Sequence, residues 1–170
     1  LQAIQLIAEN IVTAYQDGAN ITARENLAFA SNIAGIAFNE VSVHIGHAIA
    51  HELGLQFHLS HGVACALTLT TVLHDAFSAD PTRALTVASI LGYDSSSNTE
   101  LPEDYLLNKI HSLLQATHIP SLQAHNITLE QALACAEGAI KNNNFLDASP
   151  VAITKSHMEN AIRFMYEVYI

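Results

Sequence analysis

HIGHAIAHELGLQFHLSHGVACAL, residues His44 to Leu67, holds five of the chain's ten histidines, at positions 44, 47, 51, 58 and 61. On an α-helix, residues three, four and seven apart share a face, so His44, His47 and His51 form one stripe. His47 and His51 have the i, i+4 spacing at which two neutral imidazoles can grip one cation. HELG is not the zinc-protease HExxH motif, because Leu55 stands where the second histidine is required. On a continuous helix His61 would lie about 21 Å from His47, whereas two ligand atoms on one ion sit about 3 Å apart. The helix must therefore break if the two are to share an ion. Gly54 is the expected break, LQFHLS the turn, and Ser60 the N-cap of a returning helix that carries His61 back toward the stripe. His58, in that turn, is expected to be solvated. The alternative is that these histidines are hydrogen-bonded packing residues with no ligand role.

Helical periodicity extends in both directions from this segment. Ile4, Ile7, Ile11 and Val12 share a face, and Gly18 offers a stop. Thr22 with Glu25 has the spacing of a capping box ahead of a second helix, and a third is expected from Val41 to Leu53. HGVACALTLTTVLHDAF follows as a fourth. Its β-branched run ALTLTTVL, Ala66 to Leu73, is read as buried helix because its flanks suit one. Asp80-Pro81 reads as an N-cap followed by proline at the first helical position, and Gly92 as the end of that helix. Asp94 to Asp104 is a polar loop, with YLLNKIHSLLQATH helical after it. IPSLQAHNI is expected to be a surface connection, Thr128 with Gln131 to open another helix, NNNFLDASP to interrupt, and TKSHMENAIRFMYEVYI to form the last. This is an all-α pattern, a bundle of roughly seven to nine helices.

Composition agrees with one domain of 170 residues. Half the residues are apolar, 13% are charged, and there are only 7 glycines and 4 prolines. Sixteen acids against six bases give a net charge of −10, which argues against nucleic acid or an anionic membrane as partner. No apolar run reaches membrane-spanning length. Cys65 and Cys135 lack CxxC spacing and are read as reduced thiols packed like small hydrophobes in a cytoplasmic protein. LQAIQLIAENIV has no basic flank and starts in mid-helix pattern without a methionine, so the chain is expected to be part of something longer.

From Phe38 to Leu67 the pattern F-N-x(6)-G-H-A-x-A-H-x-L-G-x(6)-H-G-x-A resembles the long C-terminal motif of the iron-containing (group III) alcohol dehydrogenases. The resemblance is strong there and looser over the tail. It implies a dehydroquinate synthase-like helical C-terminal domain that follows an NAD(P)-binding α/β domain not present in these residues. It implies a divalent metal, Fe(II) with Zn as the alternative, that activates a small alcohol or aldehyde. On the motif, His47 and His61 match two metal ligands. His51 matches a histidine near the nicotinamide that assists proton movement, and Phe38 an aromatic residue beside substrate and cofactor.

The family's other two ligands come from a D-x-x-x-H motif. Asp17, the one aspartate before Phe38, has Ile21 four residues on. Two imidazoles alone hold iron weakly, so the 170 residues by themselves are expected to be inactive. Relatives of the same fold with other chemistry remain open, such as glycerol dehydrogenase-like, maleylacetate reductase-like or transhydrogenase-like enzymes. So does a non-catalytic helical metal-binding or oligomerisation module. Apolar surface uncovered by the missing domain would favour a homo-oligomer.

Overall fold

Ile45, Ile49 and Leu53 recur every fourth residue and are completely buried. They form the seam of the helix that carries the histidine stripe, each contributing about 1.5–3 kcal/mol by leaving water. A computed structural model describes residues 1–141, 143–147 and 149–169, without the side chains of Asn143 and Asn144. The chain order is α1 (Gln2–Gln16), α2 (Ile21–Val41), α3 (Ile45–Phe57), α4 (His61–Leu67), α5 (Leu69–Ala79), α6 (Pro81–Ile90), α7 (Pro102–Ala116), α8 (Leu129–Ala139), α9 (Asn143–Leu146) and α10 (Lys155–Val168). Among the described residues there is no strand, so the fold is all-α as expected. Ten helical segments are described there, nine of them longer than a single turn, in keeping with roughly seven to nine: the fourth expected helix is split, and the NNNFLDASP interruption, which lies partly outside the described residues, contains the single turn α9.

The helices gather into two compact units. The first comprises Leu1–Val41 and Asp80–His118, hence α1, α2, α6 and α7. Its α1–α2 hairpin is pinned by Asn26 Nδ2 donating to Asn10 Oδ1 at 3.0 Å. The capping box expected at Thr22 does not form. α2 starts at Ile21, two residues earlier than a Thr22 cap requires, and Asn20 Oδ1 accepts from the Ala23 backbone N–H at 3.0 Å instead. Asparagine two residues upstream of Thr22 satisfies a first-turn orphan donor in its place. Asp80 caps α6 through the Arg83 N–H, with Pro81 in its first turn. Past the end of α6, Gly92 has a φ of +104°, a conformation open to glycine at little cost. α7 begins at Pro102, ahead of the expected start, because proline again takes a first-turn position.

The second unit comprises Ser42–Ala79 and Ile119–Ile170, hence α3, α4, α5, α8, α9 and α10. α3 starts later than expected, since Ser42 takes a left-handed backbone conformation with a φ of 66° that does not continue a helix. Between α4 and α5 the axis bends by 44°. Thr68 sits at the bend and donates from Oγ1 to the Cys65 carbonyl at 2.9 Å, the kind of side-chain bond that kinks a helix. Its neighbours Thr70 and Thr71 are buried, and Thr71 Oγ1 donates to the Ala161 carbonyl of α10 at 2.6 Å. The β-branched run is therefore buried helix, as read.

α8 opens with the capping box expected of Thr128 and Gln131. The segment before it, Ile119 to Ile127, is not the surface connection expected: Ser121, Leu122 and Ile127 are buried. Tyr169 Oη donates to the Ile119 carbonyl at 2.6 Å, Gln123 Nε2 to the Tyr166 carbonyl at 2.7 Å, and Tyr166 Oη to the Ile127 carbonyl at 3.2 Å. Tyrosines on the last helix and its end thus hold a segment whose own sequence looks like a loop. Among the described residues no single helix is long and apolar enough to cross a membrane, although α4 and α5 would pass by length and composition as a bent pair.

Candidate metal centre

α3 places its apolar residues on one side: Ile45, Gly46, Ala48, Ile49, Ala50 and Leu53 are buried. His47 and His51 therefore project from the other side, one turn apart. The fold-back exists, but Gly54 does not make it. α3 runs through Gly54 to Phe57, and His58 ends it in the left-handed region at a φ of 57°, its N–H donating to the Gly54 carbonyl. The termination uses the residue four positions after the glycine, where a 5→1 bond closes a C-cap. His58 is exposed, as expected. Ser60 occupies the N-cap position of α4 without a side-chain cap bond.

α4 buries Ala64 and Leu67, which leaves His61 and Cys65, also one turn apart, facing the α3 pair. The His47 and His61 ring centroids are 5.3 Å apart, His51 and His61 5.6 Å, and His47 and His51 6.3 Å. The three rings thus lie close together. One donor atom each from His47, His61 and Cys65 lies within 4.8 Å of the others; His51 stands beside this set.

His44 leaves the stripe. It is the N-cap of α3, its carbonyl accepting from the His47 and Ala48 N–H groups at 2.9 and 3.3 Å. Its ring lines a cleft of about 280 Å³ with Val43, His47, Cys65, Leu69 and Val72. Phe38 stands on α2 in the first unit, 56% exposed.

Burial lowers the His47 pKa below the usual 6.5, and the neighbouring His61, His51 and His44 lower it further. Burial likewise lowers that of His44, against an opposing pull from Asp75. At neutral pH the His47 ring is thus held uncharged, with the lone pair that ligation requires. Burial also raises the Cys65 thiol above its ordinary value.

Two neighbours were not foreseen in the sequence. Phe145, on α9, packs its ring at 5.0 Å from His51 and 6.2 Å from His47 by centroid, both edge-to-face. Nothing in NNNFLD marks it except its isolation as an apolar pair with Leu146. Cys65 is a free thiol, as read, yet it is only part-buried and lies between two imidazoles. The signal was its spacing four residues after His61, the same as between His47 and His51. Cys135 behaves as expected: it is fully buried, and its thiol is pushed up to about 11.

Fold and geometry together define an all-α chain whose helix–turn–helix hairpin brings two histidine-bearing turns together. The chain belongs to the Fe-containing alcohol dehydrogenase family: the family's C-terminal profile matches residues 1–166. It is 33% identical to alcohol dehydrogenase 4 of Saccharomyces cerevisiae (strain ATCC 204508 / S288c) over 168 residues, 98% of this chain and 43% of the yeast protein. A 1,3-propanediol dehydrogenase of Klebsiella pneumoniae is 42% identical over 92 residues, 54% of this chain and 24% of that enzyme. The crystal structure of a 1,3-propanediol oxidoreductase superposes with a TM-score of 0.87 at 30% identity, covering 97% of this chain and 44% of that one. The 170 residues therefore span less than half the length of these relatives.

Proposed function

We propose that these residues are the metal-bearing helical part of an NAD(P)-dependent alcohol dehydrogenase or aldehyde reductase, with His47 and His61 as two of the metal's ligands. The observation that carries this reading is the convergence of those two rings, 14 positions apart in sequence, at a centroid distance of 5.3 Å. A divalent cation held there, Fe(II) or Zn(II), would supply Lewis acidity to an alcohol or aldehyde oxygen.

The chain's own residues do the rest. His47, kept neutral by burial, presents a lone pair, and the seam of α3 fixes its direction. His61 meets it from α4, so the distance between them depends on the turn at His58 and not on either helix alone. His51 is exposed, next to His61; an imidazole so placed can pass a proton between a substrate hydroxyl and water. The Phe145 ring closes the side of His47 and His51 on which it packs and keeps water from it. Phe38 is proposed, by the motif it belongs to, to meet substrate and nicotinamide. The nicotinamide itself would come from an N-terminal domain of the α/β type, and the remaining ligands from residues outside this chain.

Equilibrium dialysis against Zn(II) tests the ligand assignment: the parent chain should retain the ion, and His47→Ala and His61→Ala should each lose most of that retention. Retention unchanged in both variants would sink it. The division of labour is tested by assaying the 170-residue chain with NADH or NADPH, Fe(II) and short aldehydes, where no turnover is expected and steady turnover would overturn it.

A further inference from the structure

We propose that Cys65 is a third donor to the same ion, so that these residues offer a His₂Cys set rather than two imidazoles. The inference rests on His47 and His61 as ligands and adds a residue from outside the quoted motif. Around a tetrahedral ion with metal–sulfur bonds of about 2.3 Å and metal–nitrogen bonds of about 2.0–2.1 Å, sulfur and nitrogen ligands stand about 3.6 Å apart. Cys65 Sγ lies 3.5 Å from His61 Nε2 and 3.9 Å from His47 Nε2. Both edges lie within about 0.3 Å of that spacing. His61 and Cys65 share one face of α4, so the helix itself preorganises the nitrogen and the sulfur. The thiol would ligate as thiolate, its proton passing to the buffer.

A soft sulfur donor shifts preference toward Zn(II) and Co(II) and away from ions that favour oxygen. It also gives this chain three protein ligands of its own, enough to hold a zinc ion before any ligand from outside these residues is added. The domain is therefore expected to retain a thiophilic ion by itself.

Co(II) provides the test, because a thiolate ligand produces a near-ultraviolet charge-transfer band that imidazole does not. Titrating the 170-residue chain should raise that band in the parent and in Cys135→Ser. Cys65→Ser should still bind Co(II) but without the band, with affinity reduced about tenfold or more. As a second measurement, Zn(II) should slow alkylation of Cys65 in the parent, and His47→Ala should abolish that protection. Co(II) bound in a His47-dependent way with no charge-transfer band, or with the same band in Cys65→Ser, would overturn the thiolate assignment and leave the histidine ligands standing. Binding indifferent to both His47→Ala and Cys65→Ser would overturn the ligand reading as well.

Discussion

Gly46 is where a single missing methyl group decides a helix crossing. A Cβ there would stand 2.6 Å from Val72 Cγ2 and 3.0 Å from Thr68 Oγ1, so α3 can lie against the start of α5 only with glycine at this position. Gly46→Ala should cost about 1–3 kcal/mol through overpacking, set against up to about 1 kcal/mol of regained helix propensity. A lower urea midpoint with an unchanged slope would confirm the loss; a midpoint equal to the parent's would show that the two helices can part freely. Gly54 is the contrasting case. It sits inside α3, and a Cβ would meet only the Leu59 carbonyl at 3.4 Å, an ordinary contact. Gly54→Ala should leave the chain as stable or stabilise it by up to about 1 kcal/mol, whereas His58→Gly should relieve the left-handed backbone and stabilise by a similar amount. Thermal unfolding of both variants checks this. Collapse of Gly54→Ala would restore the glycine as the breaker.

At the scale of the element, the α3–α4 hairpin shows what a sequence can and cannot disclose. The i, i+4 pairs and the buried Ile45–Ile49–Leu53 seam follow from helical geometry, so the need for a turn and the meeting of His47 with His61 were legible. The turn's position was not: a glycine inside a helix and a glycine ending one look alike in sequence, and here histidine took the left-handed cap. Thr68's kink was equally hidden, because a hydroxyl's choice between solvent and a carbonyl depends on what packs around it. Cys65 reads in sequence as a packing thiol, because only the turn that lays α4 against α3 brings its sulfur to the imidazoles. The hairpin also has a pH signature. His44 and His47 have folded pKa values below the usual 6.5, so just below that pH the metal-free native state binds fewer protons than the unfolded chain. Stability should be full above about pH 6.5 and fall as the pH drops, until the native rings protonate too. A urea midpoint lower at pH 5.5 than at pH 7.5, with the difference reduced in His44→Gln, is the expected outcome. A flat profile would mean that neither ring resists protonation.

For the whole molecule, the division into two units follows chain order only in part, since each is built from an early and a late segment. Sequence periodicity located most helices but could not say which would pack together. In the first unit, α2 leaves Phe29, Ile36 and Val41 exposed by 51%, 63% and 69%. We propose that this surface is where the rest of a longer protein, or a second copy, would pack. Size-exclusion chromatography with light scattering should show concentration-dependent association that weakens in Phe29→Ser/Ile36→Ser; a single monomeric mass at all concentrations would remove the idea.

The Tyr166 and Tyr169 phenols reach back by about forty to fifty positions to grip carbonyls of the stretch from Ile119 to Ile127. The helix α10 and its C-cap therefore act as a latch on the segment between α7 and α8. A ribosome must synthesise α10 before that segment can settle, and a premature stop at Tyr166 would unfasten a region far upstream of the lost codons.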